Sequence, residues 1–396
     1  MHLINTTTGQ LEKFASRRTT PRYAILSHTW GPDEMTYKQI TKPRTPFQGA
    51  GYHKVKRCSE IALALGYPYL WVDTCCIDKS SSAELSEAIN SMYSYYSGAS
   101  LCIAYLVDVP PGDEDAFANS RWFTRGWTLQ ELIAPPRLIF YSQDWSVLGK
   151  KKNMIDQLCS ITNIDREVLR DPWTKKHVCI ARRMSWASKR DVTRDEDESY
   201  CLMGIFDVNM PLLYGEGAKK AFLRLEQEIL KQSNDQSLFA WTAGREFSWS
   251  PVSGGLLAHS PREFAECTNY KFSRDRQWNT FEVHPYDMTN LGLRITLPII
   301  KDEDEGKFIA ILNCEIERGA YAGIYITPTE NINDEYGFLR MILQKPTPVT
   351  MKRPSREVRK SSTAPGDVFC QAPGTSLQKV GTHLMYFEQI RELVVD

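Results

Sequence analysis

The sequence predicts an α/β fold, a parallel sheet flanked by helices over residues 1–148, then a helical extension over 149–245 and a β-rich domain over 246–396. Three observations predict it. Short apolar runs alternate with amphipathic helical patterns between residues 23 and 141, as strand–helix–strand crossovers require. From about 150 to 240 the periodicity is mainly helical, and beyond about 247 it turns to short β-type runs parted by polar turns. With 396 residues the chain also exceeds the size that one hydrophobic core usually serves.

Tyr23–Ser27 is the first predicted strand. A helix near 53–65 follows, with Val55, Cys58, Ala62 and Leu65 on one face and Gly66 as its stop. Tyr69–Asp73 is the second strand. Ser81 and Glu84 have capping-box spacing ahead of a helix that turns Leu85, Ile89, Met92 and Tyr96 inward and ends at Gly98. Leu101–Leu106 is the third strand; a helix near 120–133, terminated by Pro135 and Pro136, leads to the fourth, Arg137–Tyr141. Single crossovers of this kind are right-handed, and ligands in such sheets sit beyond the carboxyl ends of the strands, here after residues 26, 72 and 106.

Further along, residues 218–232 form a strong helical pattern with Ala218, Phe222, Leu225 and Ile229 on one stripe. Gly292–Leu297 and Phe308–Leu312 read as strands. The stretch from 345 to 378, rich in Pro, Ser, Thr, Lys and Arg, reads as a long loop or a partly mobile segment.

Forty-eight basic residues balance forty-eight acidic ones, so no global field favours nucleic acid or anionic lipid. The clusters Lys150–Lys152 and Arg182–Arg183 read as solvated faces. Met1–Thr6 lacks the features of a secretory signal and no segment has the length of a membrane span, so the expected location is cytoplasmic. Ten cysteines include no CxxC pair, and no Cys or His pair has metal-ligand spacing; reduced, buried thiols and no metal are expected.

Four stretches carry a resemblance: Tyr23–Gly31, Leu70–Asp78, the tyrosines of Met92–Tyr96, and Arg125–Leu132. In order and spacing they resemble the fungal heterokaryon incompatibility (HET) domain over roughly residues 20–145. A longer stretch, from Arg183–Ala187 to Tyr214–Gly217 and on to Phe239–Trp241, resembles the extension that follows such domains, and the final third resembles a β-rich module found after it. HET domains are in turn distantly similar to TIR domains, which implies a flavodoxin-like sheet. Several TIR domains cleave NAD through one glutamate in a Trp-Cys-x-x-Glu-Leu pattern. Trp127, Glu131 and Leu132 stand at that spacing, which implies Glu131 as the catalytic residue, with Thr128 in place of the Cys.

On a helix, Trp127 and Glu131 project from one face. An indole beside a carboxylate suits a nucleoside, and a carboxylate can stabilise the oxocarbenium-like centre formed when a ribose–nitrogen bond breaks. The alternative makes Glu131 a structural ion pair with Arg125 or Arg121, and Trp127 core. Ser27, His28 and Trp30 follow the first strand, where a ligand would lie. His28 either bonds a phosphate or ribose or simply packs. Asp73 either binds a ribose hydroxyl or caps the following turn. Cys75 and Cys76 beside Asp73 raise a Cys–His nucleophile pair using His28, though packing is the preferred reading. Gly215–Gly217 lacks phosphate-loop spacing and reads as a turn before a helix.

The resemblance implies a programmed cell death effector in self/non-self recognition and innate immunity that hydrolyses NAD as its substrate and needs no cofactor. The rival expectation is a non-catalytic, self-associating signalling or adaptor module, its feature the aromatic helix with Tyr93, Tyr95 and Tyr96. Self-association on activation and an unidentified trigger protein are the expected partnerships, with no nucleic acid. Domain order makes the β-rich part the candidate restraint, so truncation after about residue 245 should raise toxicity.

Overall fold

The computed structural model describes residues 1–16, 18–42, 48–242, 256–272, 286–289, 292–302, 307–317, 320–328, 339–341, 347–352, 369–371, 378–379 and 381–387. Two compact units divide the chain: Met1–Lys175 with Arg190–Glu216, and Lys176–Lys189 with Gly217–Asp396. The helical stretch 149–245 contributes to both.

The first unit is built on seven strands. In chain order they are β1 (His2–Asn5), β2 (Leu11–Lys13), β3 (Tyr23–His28), β4 (Tyr69–Trp71), β5 (Leu101–Tyr105), β6 (Leu138–Tyr141) and β7 (Val147–Lys150). They lie in the order β2-β1-β4-β3-β5-β6-β7. The four predicted strands form its parallel centre, β3 pairing with β4 and β5, and β5 with β6. Every side chain of β3 is buried, which explains its unbroken apolar run under layers on both faces. The sheet is mixed, because β1, β2 and β7 extend its edges in antiparallel pairing. Leu3 and Ile4 are too short an apolar run to announce a strand; backbone pairing of Ile4 with Leu70 and of Leu3 with Glu12 makes them one.

Counted from β3, the parallel strands stand in the order 2-1-3-4, with the chain reversing direction across the sheet between β3 and β5. The crossover helices are α2 (Ala50–Ala64), preceded by the short α1 (Tyr37–Thr41), then the single turn α3 (Asp73–Cys76) and α4 (Ser82–Gly98). Right-handed crossovers that run in opposite directions place α2 and α4 on opposite faces. Val55, Cys58 and Ala62 of α2 are buried as expected, but Leu65, just past its end, is 46% exposed. Ser81 accepts the Glu84 N–H at 3.3 Å, while the Glu84 carboxylate turns away to accept from Asp78 N. The capping box is therefore half formed. Ala88, Met92 and Tyr96 are buried, whereas Leu85 and Ile89 are half-buried beside a cavity.

The helix expected at 120–133 is broken. After α5 (Glu114–Ala118) comes a 3-10 turn, Arg121–Thr124, and then α6 (Thr128–Ile133). Arg125 is extended and bridges to Asp191, and Gly126 N donates to Asp191 O at 2.9 Å. A Cβ on Gly126 would stand 2.6 Å from Val192 Cγ1, so only glycine lets that segment approach. The Thr128 hydroxyl donates to Trp122 O at 2.5 Å, which withdraws another carbonyl from a continuous helix. At the other end of α6, Lys151 is buried and its ammonium donates to Leu132 O, Ile133 O and Pro135 O. This middle lysine of the 150–152 cluster is a helix C-cap and not a solvated charge.

In the second unit the helix Ala218–Leu230 buries Phe222, Leu225 and Ile229, and Ala218 sits half-buried at its start. Gly215 and Gly217 both take positive φ, so they form the expected turn. Asp235 accepts Ile180 N and Ser237 accepts Ala181 N, which caps the helix Ile180–Ser185. Strands Gly292–Asp302 and Lys307–Glu317 belong to a ten-stranded antiparallel sheet and contain both predicted runs. Within 345–378, Thr347–Lys352 and Phe369–Gln371 are strands and not loop, because sheet pairing overrides their composition. The remainder of that stretch, apart from Gln378, lies outside the described residues.

Candidate functional site

The carboxyl ends of β3 and β4 and facing sides of α4 and α6 enclose a cavity of about 240 Å³. His28, Thr29 and Trp30 line it from β3, and Asp73, Ile77 and Lys79 from the segment after β4. Trp127, Thr128 and Glu131 line it from α6, while Arg194, Asp197 and Tyr214 close the far side. It lies where the reversal of strand order predicts a crevice.

Glu131 is 8% exposed at the cavity wall. Ser27 Oγ donates to its Oε2 at 2.5 Å, and Trp122 Nε1 donates to Ser27 Oγ at 2.9 Å. The indole N–H can only donate, so the Ser27 oxygen accepts from Trp122 while its hydroxyl donates to Glu131. The Tyr96 hydroxyl, donating to Leu26 O at 3.0 Å, also lies against the carboxyl. Burial pushes the Glu131 carboxyl up to about 8, with the Asp73 charge adding to the rise and Ser27, Tyr96 and Arg190 opposing it.

The ion-pair alternative fails on geometry. Arg125 Nη2 donates to Thr193 Oγ1 at 2.7 Å, and Arg121 Nη2 reaches Trp30 O at 3.2 Å. Arg190, which sequence reasoning missed, is the cation whose charge acts on Glu131; its Nη1 donates to Arg125 O and Thr128 Oγ1. Nor is Trp127 core, since it is half-buried on the cavity wall.

The other expected residues separate into two roles. Ser27 is wholly buried behind Glu131 and does not line the cavity. His28, Trp30 and Asp73 do line it. Asp73 opens α3, and its Oδ2 accepts the Trp30 indole N–H at 2.8 Å. Trp30 is 55% exposed at the mouth, with Lys79 Nζ 3.7 Å from its ring centre. The His28 side chain is 1% exposed, 3.5 Å from Glu34 Oε2 and 4.0 Å from Asp73 Oδ1, and neither ring nitrogen makes a hydrogen bond. Burial alone would raise Glu34, but His28, the Gly31 N–H and Lys54 pull it down to about 2.

Charges of both signs lie side by side in the cavity, Asp73 acting on Lys79 and Arg194 on Asp197. Glu131, Asp73 and Asp197 lie on its walls, and Lys79, Arg125 and Arg194 are cations of which none joins an ion pair among the described residues. Arg194 stacks over Tyr214 at 4.4 Å, and Tyr214 donates to Asp197 at 2.9 Å. Burial raises Asp197, against the indole of Trp127 and the Tyr214 hydroxyl, which hold it down. Arg194 and Asp197 sit in the charged run 189–198, inside the stretch that resembles the family's extension, but its local pattern carries no signal that these side chains face a cavity.

Cys75 and Cys76 are buried, and a Cys75–Cys76 hydrogen bond together with burial drives the Cys75 thiol well above its usual range. That removes the thiolate a nucleophile needs. Among the described residues no group of three Cys, His, Asp or Glu could hold a metal. Among them, too, no helix is long and apolar enough to cross a membrane. The aromatic helix is largely spoken for within its unit. Tyr93 packs on Gly204, where a Cβ would stand 2.2 Å away, and Tyr95 lies 5.6 Å from Trp71.

Residues 23–116 match the family model of the heterokaryon incompatibility protein (HET), and residues 220–253 match a domain of unknown function, DUF8212. The HET match takes in β3, β4, α4 and β5 and ends before α6. The chain is 45% identical over 222 residues to vegetative incompatibility protein HET-E-1 of Podospora anserina. That alignment covers 53% of this chain and 16% of the relative, so the chain spans about a sixth of that protein. No solved structure matches. The stretch that builds β3, Asp73 and α4 is thus the stretch the family model recognises, and residues 23–116 form a heterokaryon incompatibility (HET) domain.

Proposed function

We propose that this chain is a heterokaryon incompatibility effector, acting in the cytoplasm, whose first unit kills by hydrolysing NAD in a TIR-like manner. The carrying observation is the lining of the cavity, where the buried Glu131 carboxyl shares the walls with the indoles of Trp30 and Trp127 and with Lys79, Arg125 and Arg194. NAD carries groups for both signs, a cationic pyridinium ring at one end and a pyrophosphate in the middle. The kinship to a vegetative incompatibility protein supports the biological half of the reading.

In this reading the ribose next to nicotinamide meets Glu131, and Trp127 takes one face of the ring. The pyrophosphate reaches Lys79, Arg125 and Arg194. His28, which lies against Glu34 and Asp73 without meeting hydrogen-bond geometry, supplies a hydrogen bond to the sugar or a phosphate. The cavity of about 240 Å³ falls below the ~300–1,000 Å³ of most small-molecule sites, so it holds one nucleoside and the rest of the dinucleotide lies across the mouth past Trp30.

The carboxyl is mostly protonated at neutral pH when the site is empty. A pyridinium charge beside it favours the carboxylate, so the substrate itself ionises Glu131. The carboxylate then stabilises positive charge at the anomeric carbon while the carbon–nitrogen bond breaks and its electron pair stays on nicotinamide. Water adds to that carbon and gives up a proton, yielding ADP-ribose. Self-association on activation and a trigger protein complete the proposal. The deciding experiment follows NAD in the presence of purified, concentrated protein and of Glu131→Gln; equal turnover in the two removes Glu131 from the mechanism.

A further inference from the structure

A second cavity, of about 320 Å³, lies at the opposite ends of the parallel strands. Leu101 opens β5 and Leu138 opens β6, and both line it, whereas the first cavity lies past the closing residues of β3. The remaining apolar lining is Leu65, Tyr67, Pro136 and Ile139. Arg137, Lys150 and Lys152 supply its cations.

The cations gather on one side. Ile139 pairs with Lys150 across β6 and β7, at the sheet edge, and Arg137 and Lys152 flank that pair in sequence. The apolar groups lead inward from there to β5 and to the end of α2. Part of the local positive charge is taken up by carbonyls, since Lys151 caps α6 and Arg137 Nε donates to Ser100 O, just before β5, at 2.9 Å. Lys150 and Lys152 do not share that task. Both are exposed, and neither joins an ion pair among the described residues. Leu65, whose helical spacing points it at the core, is exposed at the other end of the same groove.

We infer that this groove is a binding site for a small amphipathic anion, a medium-chain carboxylate whose head meets Arg137, Lys150 and Lys152 and whose chain covers Leu65, Tyr67 and Leu101. A volume within the ~300–1,000 Å³ of small-molecule sites fits such a ligand. Charge complementarity selects the head group, and the apolar floor selects the tail. The site shares no residue with the proposed NAD cleft, so either can fail without the other.

The test is calorimetric titration of the full chain with decanoate, with decanol and acetate as controls and anionic vesicles as a separate arm. Saturable one-to-one binding of decanoate is expected, at least about tenfold tighter than decanol or acetate and weakening as salt is added. Leu65→Asp, and the double variant Lys150→Glu with Lys152→Glu, should each weaken it by about tenfold or more. All three positions are exposed, and an unchanged melting temperature checks that the variants fold. Glu131→Gln should bind decanoate as the parent does. The inference is overturned if decanol binds as tightly as decanoate, if the variants bind unchanged, or if only vesicles bind.

Discussion

The Ser27 hydroxyl donates to Glu131 Oε2 at 2.5 Å, and its own oxygen accepts from Trp122 Nε1. A strand residue expected to touch ligand is thus the support of the residue expected to do the chemistry. The carboxyl it holds is buried and raised, a condition that clusters at functional sites.

Replacing Glu131 with Gln keeps volume and removes ionisation. NAD turnover should fall by about 10²–10⁴-fold, the usual range for removing one such group. The thermal melt at pH 7 should hardly move, because the carboxyl is already mostly neutral there. A spectrophotometric NAD assay and a melt on the same samples check both.

The dependence on pH has a definite sign. A carboxyl raised to about 8 takes up protons more readily when folded than when unfolded. Its stabilising contribution is full below its ordinary value and is lost as pH rises towards 8. Activity that needs the carboxylate should rise over the same span in kcat/KM, while kcat, set by the complex, should level off at lower pH. In Ser27→Ala the hydrogen bond that favours the charged form is gone, so the kcat/KM profile should move to higher pH. Ser27→Thr keeps the hydroxyl and should restore much of it. Identical profiles for Ser27→Ala and parent would leave Ser27 a packing residue only.

Trp30 separates affinity from chemistry. It is 55% exposed, so Trp30→Ala should cost under about 0.5 kcal/mol of stability. The loss of its ring should raise KM by about tenfold with kcat within about threefold, on the scale of one stacking contact. Trp30→Phe keeps a ring but cannot donate to Asp73, and should fall between the two.

Lys151 holds three carbonyls at the end of the helix that carries Glu131. Burial draws its ammonium down to about 8, which leaves it mostly charged at neutral pH. Lys151→Met preserves the packed chain but strands those carbonyls, and should lower stability by about 2–4 kcal/mol in a denaturant titration.

The cell-death reading also changes how the restraint idea is tested. A truncation after residue 245 passes through the second unit, where Ala258 N donates to Glu226 and Asn313 N to Gln236. Such a cut should yield aggregated protein in size-exclusion chromatography. Loss of solubility would have to be separated from release of toxicity.

Local pattern was enough for the central strands and for α2 and α4, because an apolar run or a helical stripe is written in neighbouring residues. It also placed His28, Trp30, Asp73, Trp127 and Glu131 together, through strand ends and through motif resemblance. What it could not supply was whatever depends on a partner far along the chain. The helix at 120–133 breaks because Asp191 takes the Gly126 N–H, and Leu3 and Ile4 form a strand because β2 and β4 lie beside them. Arg194 and Asp197 join the cavity wall from a stretch whose local pattern carries no signal of it.

The sequence by itself determined an alternating α/β core and the kinship of that core, since both are carried by residue types at short, fixed spacings. Only the tertiary structure decided that Ser27 supports Glu131 from behind, that neither Arg125 nor Arg121 neutralises it, and that Lys151 is buried. The reason is physical: burial and hydrogen-bond partnership are set by segments some 20 to 100 residues apart that meet only once the sheet has closed.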